Sequence, residues 1–133
     1  MNESLKKGIE EFNRQEFYQC HDTLEEIWMH SIEPDKTFYQ GILQIAVGCY
    51  HLSNSNWKGA VILLGEGLRK LIQYEPDYLE INVDKLTENG YELLTTLQQI
   101  NPDYVNNFYH QLINHELEKN LTLPVIDYLI NEK

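Results

Sequence analysis

FYQGILQIAVGCYHL, residues 38–52, is the stretch whose reading decides the fold. At about 100° per residue, Phe38, Ile42, Ile45, Ala46, Cys49 and Leu52 fall on one broad apolar side of a helix. Leu43, Val47 and Tyr50 cover most of the opposite side, which leaves Gln40, Gln44 and His51 on one narrow polar stripe. Gly41 and Gly48 border that stripe, one above the other, where a neighbouring backbone or a ligand can come close. A helix apolar nearly all round is the buried centre of a bundle. Its amides and imidazole then need partners inside the protein, because an unpaired buried polar group costs about 1–3 kcal/mol. The stretch therefore predicts a central helix over about residues 35–53 with a polar pocket beside it.

Outward from this helix the chain reads as all-α throughout. Ser4 is positioned to cap a first helix carrying Leu5, Ile9 and Phe12, and Asn13-Arg14-Gln15 breaks it. A second helix over about 16–30 has Phe17, Cys20, Leu24, Ile27 and Trp28 as its apolar face, with His21 at the edge. Ser53-Asn54-Ser55-Asn56 ends the central helix, and a fourth runs from about Trp57 to Tyr74. Tyr78 to Val83 reads as a packed connector, and Asp84 as the cap of a fifth helix through Ile100. Val105, Phe108, Tyr109, Leu112 and Ile113 predict a sixth. The tail LTLPVIDYLI, residues 121–130, is apolar but interrupted by Pro124, and so extended or a single turn. The expectation is one domain over residues 1–133, a bundle of five to six helices.

Ten basic against 21 acidic residues give a net charge of −11. That balance argues against nucleic acid, whose binders neutralise phosphates with clustered Lys and Arg, and against an anionic membrane surface. The N-terminus lacks an apolar stretch of signal-peptide length, and no segment approaches a membrane span. Cys20 and Cys49 lie inside predicted helices without CxxC spacing, as reduced core thiols of a cytoplasmic protein do. The chain contains no HExxH, no Glu-x-x-His, no P-loop and no nucleophile elbow. Gly65-x-Gly67 lacks the third glycine and the preceding strand of a dinucleotide site.

The chemistry that remains sits on two helices. His21 and Glu25 are four residues apart on the second, hence on one face. If the stripe of Gln40, Gln44 and His51 faces them, two imidazoles, a carboxylate and two amides converge. Two uses follow from the residue types. His21, Glu25 and His51 can ligate a divalent metal with open positions for water. Equally, His21 held by Glu25 can serve as a general base while His51 or Gln44 positions a substrate. The plain alternative is structural: a His–Glu pair one turn apart satisfies a half-buried histidine, and Gln–His contacts tie helices together. Trp28 and Trp57 read as core or pocket wall; His30, His110 and His115 read as solvent-facing.

FYQCHDTLEEIW (residues 17–28), FYQGILQ (38–44), Tyr50-His51 and NWKGA (56–60) resemble a helical family, domain-of-unknown-function family 309. Its pattern runs F/Y-x-x-A-H-E-x-x-E-x-x-W, F-x-Q-G-L-I-Q, Y-H and G-N-x-x-G-A. The resemblance covers about residues 5–75 and leaves the helices and tail of about 84–133 outside it. It implies an all-helical, cytoplasmic protein and supplies no reaction. Its characteristic polar positions fall on His21, Glu25, Gln40, Gln44 and His51, beside Trp28 and Gly41, the set that helical geometry picks out. Asp22 stands where the family has glutamate, and Cys20 where it has alanine. Two functional readings stay open. In the first, a polar pocket built from His21, Glu25, Gln44 and His51 binds a small ligand or metal, with hydrolysis within its reach. In the second, the domain is a non-catalytic adaptor that docks a protein partner, and the polar cluster is structural. A pocket of useful volume over the two histidines favours the first; an exposed apolar groove near the tail favours the second.

Overall fold

The structure, a computed structural model, describes residues 2–129. Met1 and residues 130–133, including the last tail residue Ile130, lie outside the described residues. The order is α1 (Glu3–Asn13), α2 (Phe17–Met29), α3 (Asp35–Ser53), α4 (Trp57–Leu71), β1 (Asp77–Tyr78), β2 (Ile81–Asn82), α5 (Val83–Gln99) and α6 (Val105–Ile113). Single 3-10 turns at Ile72–Tyr74 and Pro102–Tyr104 finish α4 and introduce α6. The fold is the all-α single domain expected.

Helix α3 is central, packed on α2, α4 and α6. Phe38, Ile42, Ile45, Ala46, Cys49 and Leu52 are all fully buried, as their spacing requires. The opposite side departs from expectation. Leu43 and Val47 are half-buried and Tyr50 is 37% exposed, so α3 is sealed on one side and reaches solvent on the other. A hydrophobic pattern reports which residues avoid water, and it does not say that a bundle this small has helices to cover every face.

The glycines set the closest crossing in the fold. A Cβ on Gly67 would stand 2.7 Å from the Gly41 carbonyl oxygen, and one on Gly41 would stand 2.9 Å from the Leu71 side chain. Gly48 meets Leu64 in the same way, at 2.9 Å. What approaches the glycine edge of α3 is therefore the backbone and leucines of α4. This packing explains Gly67 of Gly65-x-Gly67, whereas a Cβ on Gly65 would meet only Leu94 of α5, at 3.9 Å.

Three helices end alike. After α1, the Glu16 N–H donates to the Glu11 carbonyl and the Gln15 N–H to Phe12, with Gln15 at φ 64°. After α3 the same pair runs from Asn56 to His51 and from Ser55 to Leu52, with Ser55 at φ 61°. After α6 it runs from Glu116 to Gln111 and from His115 to Leu112, with His115 at φ 55°. These are Schellman motifs whose left-handed position carries no glycine. At the helix starts the caps lie two residues earlier than expected. Asn2 accepts from the Ser4 and Leu5 N–H groups, and Asn82, rather than Asp84, accepts from Lys85. Asn is as good a cap as Ser or Asp, so one residue type does not fix the start among several candidates.

The connector between α4 and α5 is a two-residue hairpin, with Tyr78 opposite Ile81 and Leu79 and Glu80 both at positive φ. The tail is extended, as expected, and lies along this hairpin. Tyr128 bridges Ile81, Asn82 N–H donates to the Asp127 carbonyl, and Leu129 N–H donates to that of Glu80. Asn13 clamps the tail to α1: its amide donates to the Ile126 carbonyl at 2.9 Å and accepts from the Ile126 N–H at 2.7 Å.

Candidate functional site

His21 stands in the middle of α2, on the edge of the face that buries Cys20 and Leu24. Its Nε2 lies 3.2 Å from the Glu25 carboxylate one turn on, and its Nδ1 lies 3.2 Å from Asp22. The pairing of His21 with Glu25 is thus the one that the spacing predicts. Its surroundings are wetter than expected, with side-chain exposures of 31% for His21 and 49% for Glu25. Of the two contacts, Nδ1–Asp22 has hydrogen-bond geometry, whereas Nε2 stands at ion-pair distance from Glu25.

His51 is built into the end of α3. The Schellman motif brings Asn56 back over it, so the Asn56 N–H donates to the His51 carbonyl at 2.8 Å. The Asn56 side chain does two further things. Its Oδ1 accepts from the Gly59 N–H at 2.9 Å, which caps α4, and its Nδ2 then faces His51 Nδ1 at 3.2 Å. An amide whose oxygen is already engaged presents its N–H to the imidazole, so Nδ1 accepts and the proton of the neutral ring sits on Nε2. Gly59 supplies the space, because a Cβ there would stand 2.9 Å from His51 Cγ and Cδ2 and 2.7 Å from Asn56 Nδ2. The stretch Asn56-Trp57-Lys58-Gly59-Ala60 is thereby explained residue by residue. Asn56 orients the imidazole, Gly59 makes room for it, and Ala60 packs in the core. Trp57 pins α4 to α5 by donating Nε1–H to the Leu97 carbonyl at 2.7 Å.

The two histidines share one cleft. A hollow of about 160 Å³ between α2 and α3 is lined by Phe17, Tyr18, His21, Val47, Tyr50 and His51. The Tyr18 ring contacts that of Tyr50 with centroids 5.6 Å apart, and it reaches His21 at 6.3 Å. Neither tyrosine hydroxyl has a hydrogen-bond partner among the described residues. The polar groups on the cleft lining are two imidazoles and two phenols, and a phenol both donates and accepts.

The remaining predicted residues do not converge there. Gln40 and Gln44 are half-buried on the same stripe, outside the cleft lining, and Gln44 Oε1 is buried without a partner. Trp28 is half-buried against the core with the Lys36 ammonium 5.0 Å from its ring, and Gly41 faces α4. Among the described residues no three His, Cys, Asp or Glu side chains come together as a metal-holding group, so His21, Glu25 and His51 are not gathered as one ligand set. The stripe and the His–Glu face meet at the two imidazoles alone. Helical spacing defines directions from an axis, and the offset between two axes decides which directions meet. Tyr50, which the sequence reading set among the residues covering the far side of α3, completes the lining together with Tyr18. The signal for them was the pairing of each with the histidine it precedes, Tyr18 by three positions and Tyr50 by one.

Cys20 and Cys49 are buried free thiols. Burial, reinforced by the nearby Glu11 charge, pushes Cys20 up to about 12 from an ordinary 9.0. Burial pushes Cys49 up as well. Both are inert core residues, as expected, since the thiolate is the reactive form.

A larger groove of about 580 Å³ lies against α5, α6 and the segment after α6, lined by residues that include Ile100, Tyr104, Phe108, Leu117 and Leu121. No helix among the described residues is long and apolar enough to cross a membrane.

Comparison with known proteins agrees with the motifs. The chain is 28% identical over 118 residues to the uncharacterized protein YpuF of Bacillus subtilis (strain 168), an overlap of 88% of this chain and 60% of that protein. It is 25% identical over 101 residues to an uncharacterized protein of Aquifex aeolicus (strain VF5), covering 75% of this chain and 30% of that one. The chain thus spans less than two thirds of either relative. No solved structure matches it. The matched family is described as a domain of unknown function, and its model covers α1, α2, α3 and the start of α4, the part that carries both histidines. Residues 5–63 match the model of this family, DUF309, which the chain resembles over that stretch.

Proposed function

We propose that this domain is a binding module whose α2–α3 cleft accepts a single ring-sized group carrying a hydrogen-bond acceptor. The observation that carries this reading is the convergence of His21 and His51, from separate helices, on one hollow walled by Phe17, Tyr18 and Tyr50. The volume selects the size of the guest. Pockets for whole metabolites run from about 300 to 1,000 Å³, whereas about 150 Å³ holds one benzene ring. At about 160 Å³ the cleft is ring-sized. The donors select the chemistry: His51 Nε2–H and the two phenols suit a carbonyl oxygen on that ring. Titration with benzamide, followed by NMR on the His21, His51, Tyr18 and Tyr50 ring protons, tests it. Saturable shifts with benzamide and not with toluene, weakened about tenfold in His51→Ala, are expected for one hydrogen bond lost. Equal response to toluene, or no response to either, overturns it.

The groove of about 580 Å³ favours a second reading, an adaptor that docks a protein through α5 and α6. Tyr104 is 61% exposed at its rim. Covalent labelling of Tyr104 that falls in cell extract relative to purified protein is the expected result for this reading; undiminished labelling counts against it.

A further inference from the structure

A second hollow, of about 440 Å³, lies at the opposite end of α3, between the first turns of α1 and α3 and the β1–β2 turn. It is lined by Asn2, Leu5, Asp35, Tyr39, Leu79 and Glu80. Tyr39 is only 5% exposed, yet its hydroxyl has no hydrogen-bond partner among the described residues. Asp35 uses Oδ1 to accept from the Tyr78 hydroxyl, and its Oδ2 has no partner among the described residues. Leu5 and Leu79 give the hollow an apolar wall.

We propose that this hollow binds a compact organic cation, an ammonium head on a short alkyl body. The head lies between the Asp35 carboxylate and the Tyr39 hydroxyl, and the alkyl body lies on Leu5 and Leu79. A carboxylate and a phenol oxygen both accept from an ammonium, which has three donors and no acceptor. The net charge of −11 raises the local concentration of cations and disfavours anions. The charge of Asp35 is felt across the hollow. It adds to burial in holding Tyr39 above the ordinary tyrosine range, and its hydrogen bond is the chief cause that pushes Tyr78 up to about 12. Leu79 and Glu80 hold left-handed backbone, at φ 47° and 68°, in the turn that bounds the hollow.

The test is a methyl and aromatic NMR titration of the whole chain with n-butylammonium chloride, with butan-1-ol and sodium butyrate as neutral and anionic counterparts at matched ionic strength. Saturable shifts at Leu5, Leu79 and Tyr39 are expected with the ammonium alone. Tyr39→Phe, which keeps the ring and removes the oxygen, weakens binding by about tenfold, as does Asp35→Asn, the expected loss for one charge-assisted hydrogen bond. Unchanged shifts at Leu64, remote in the core, verify that each variant is folded. The proposal is overturned if butan-1-ol binds as well as the ammonium, if the wild-type chain shows no saturable shift, or if Tyr39→Phe binds unchanged.

Discussion

His51 shows what a single residue needs in order to stay in one orientation. Its carbonyl, its Nδ1 and one ring face are each held, two by Asn56 and the third by the absence of a side chain at Gly59. Gly59→Ala would place a methyl group against the imidazole and the Asn56 amide, and overpacking of this kind costs about 1–3 kcal/mol. Chemical denaturation should show that loss, with the His51 ring signals displaced in the folded state. Asn56→Ala is a gentler cut. It removes the bond that fixes the tautomer as well as the α4 cap, so about 1 kcal/mol of stability is lost. Long-range 15N–1H spectra should show His51 as the Nε2–H form in the wild type and as a mixture in the variant. An unprotonated Nε2 in the wild type would refute the orientation assigned to Asn56.

At the scale of elements, two backbone devices shape the bundle. The first is the non-glycine Schellman end. Gln15 occupies a left-handed position that glycine adopts without steric cost, and its side chain is exposed. Gln15→Gly should therefore stabilise the fold by about 0.5–1 kcal/mol, read as a higher urea midpoint at unchanged slope. The second device is the α3–α4 crossing. Gly67→Ala drives a methyl to within 2.7 Å of the Gly41 carbonyl oxygen, which is backbone and cannot rotate aside. The helices must part, at a cost of about 2 kcal/mol or more. The two glycine predictions have opposite signs because one position lacks backbone freedom while the other lacks space.

For the molecule as a whole, the buried thiols set a limit at alkaline pH. In the unfolded chain both cysteines ionise near the ordinary 9.0, whereas the fold holds Cys20 neutral up to about 12 and raises Cys49 too. Folded values above unfolded ones mean stability that is complete below pH 9 and is lost as pH rises toward the folded values. Each thiol contributes a slope of about 1.4 kcal/mol per pH unit over that window. Urea unfolding at pH 8, 9 and 10 should show the decline beginning near 9, and in Cys20→Ala the slope should be roughly halved, one of two titrating thiols being gone.

The helices, their order and the buried side of α3 were legible in the sequence, because burial periodicity is a local property of spacing and these residues obey it. Family motifs also marked His21 and His51, whose immediate partners, Glu25 four residues on and Asn56 five residues on, are sequence neighbours. What the tertiary structure alone decided was which directions meet. The offset between α2 and α3 brings the two imidazoles into one cleft with Tyr18 and Tyr50 while leaving Gln40 and Gln44 outside. The packing of α4 turns the glycine edge into a helix crossing. Those outcomes depend on separations between axes far apart in the chain, and no spacing along one helix encodes the distance to another.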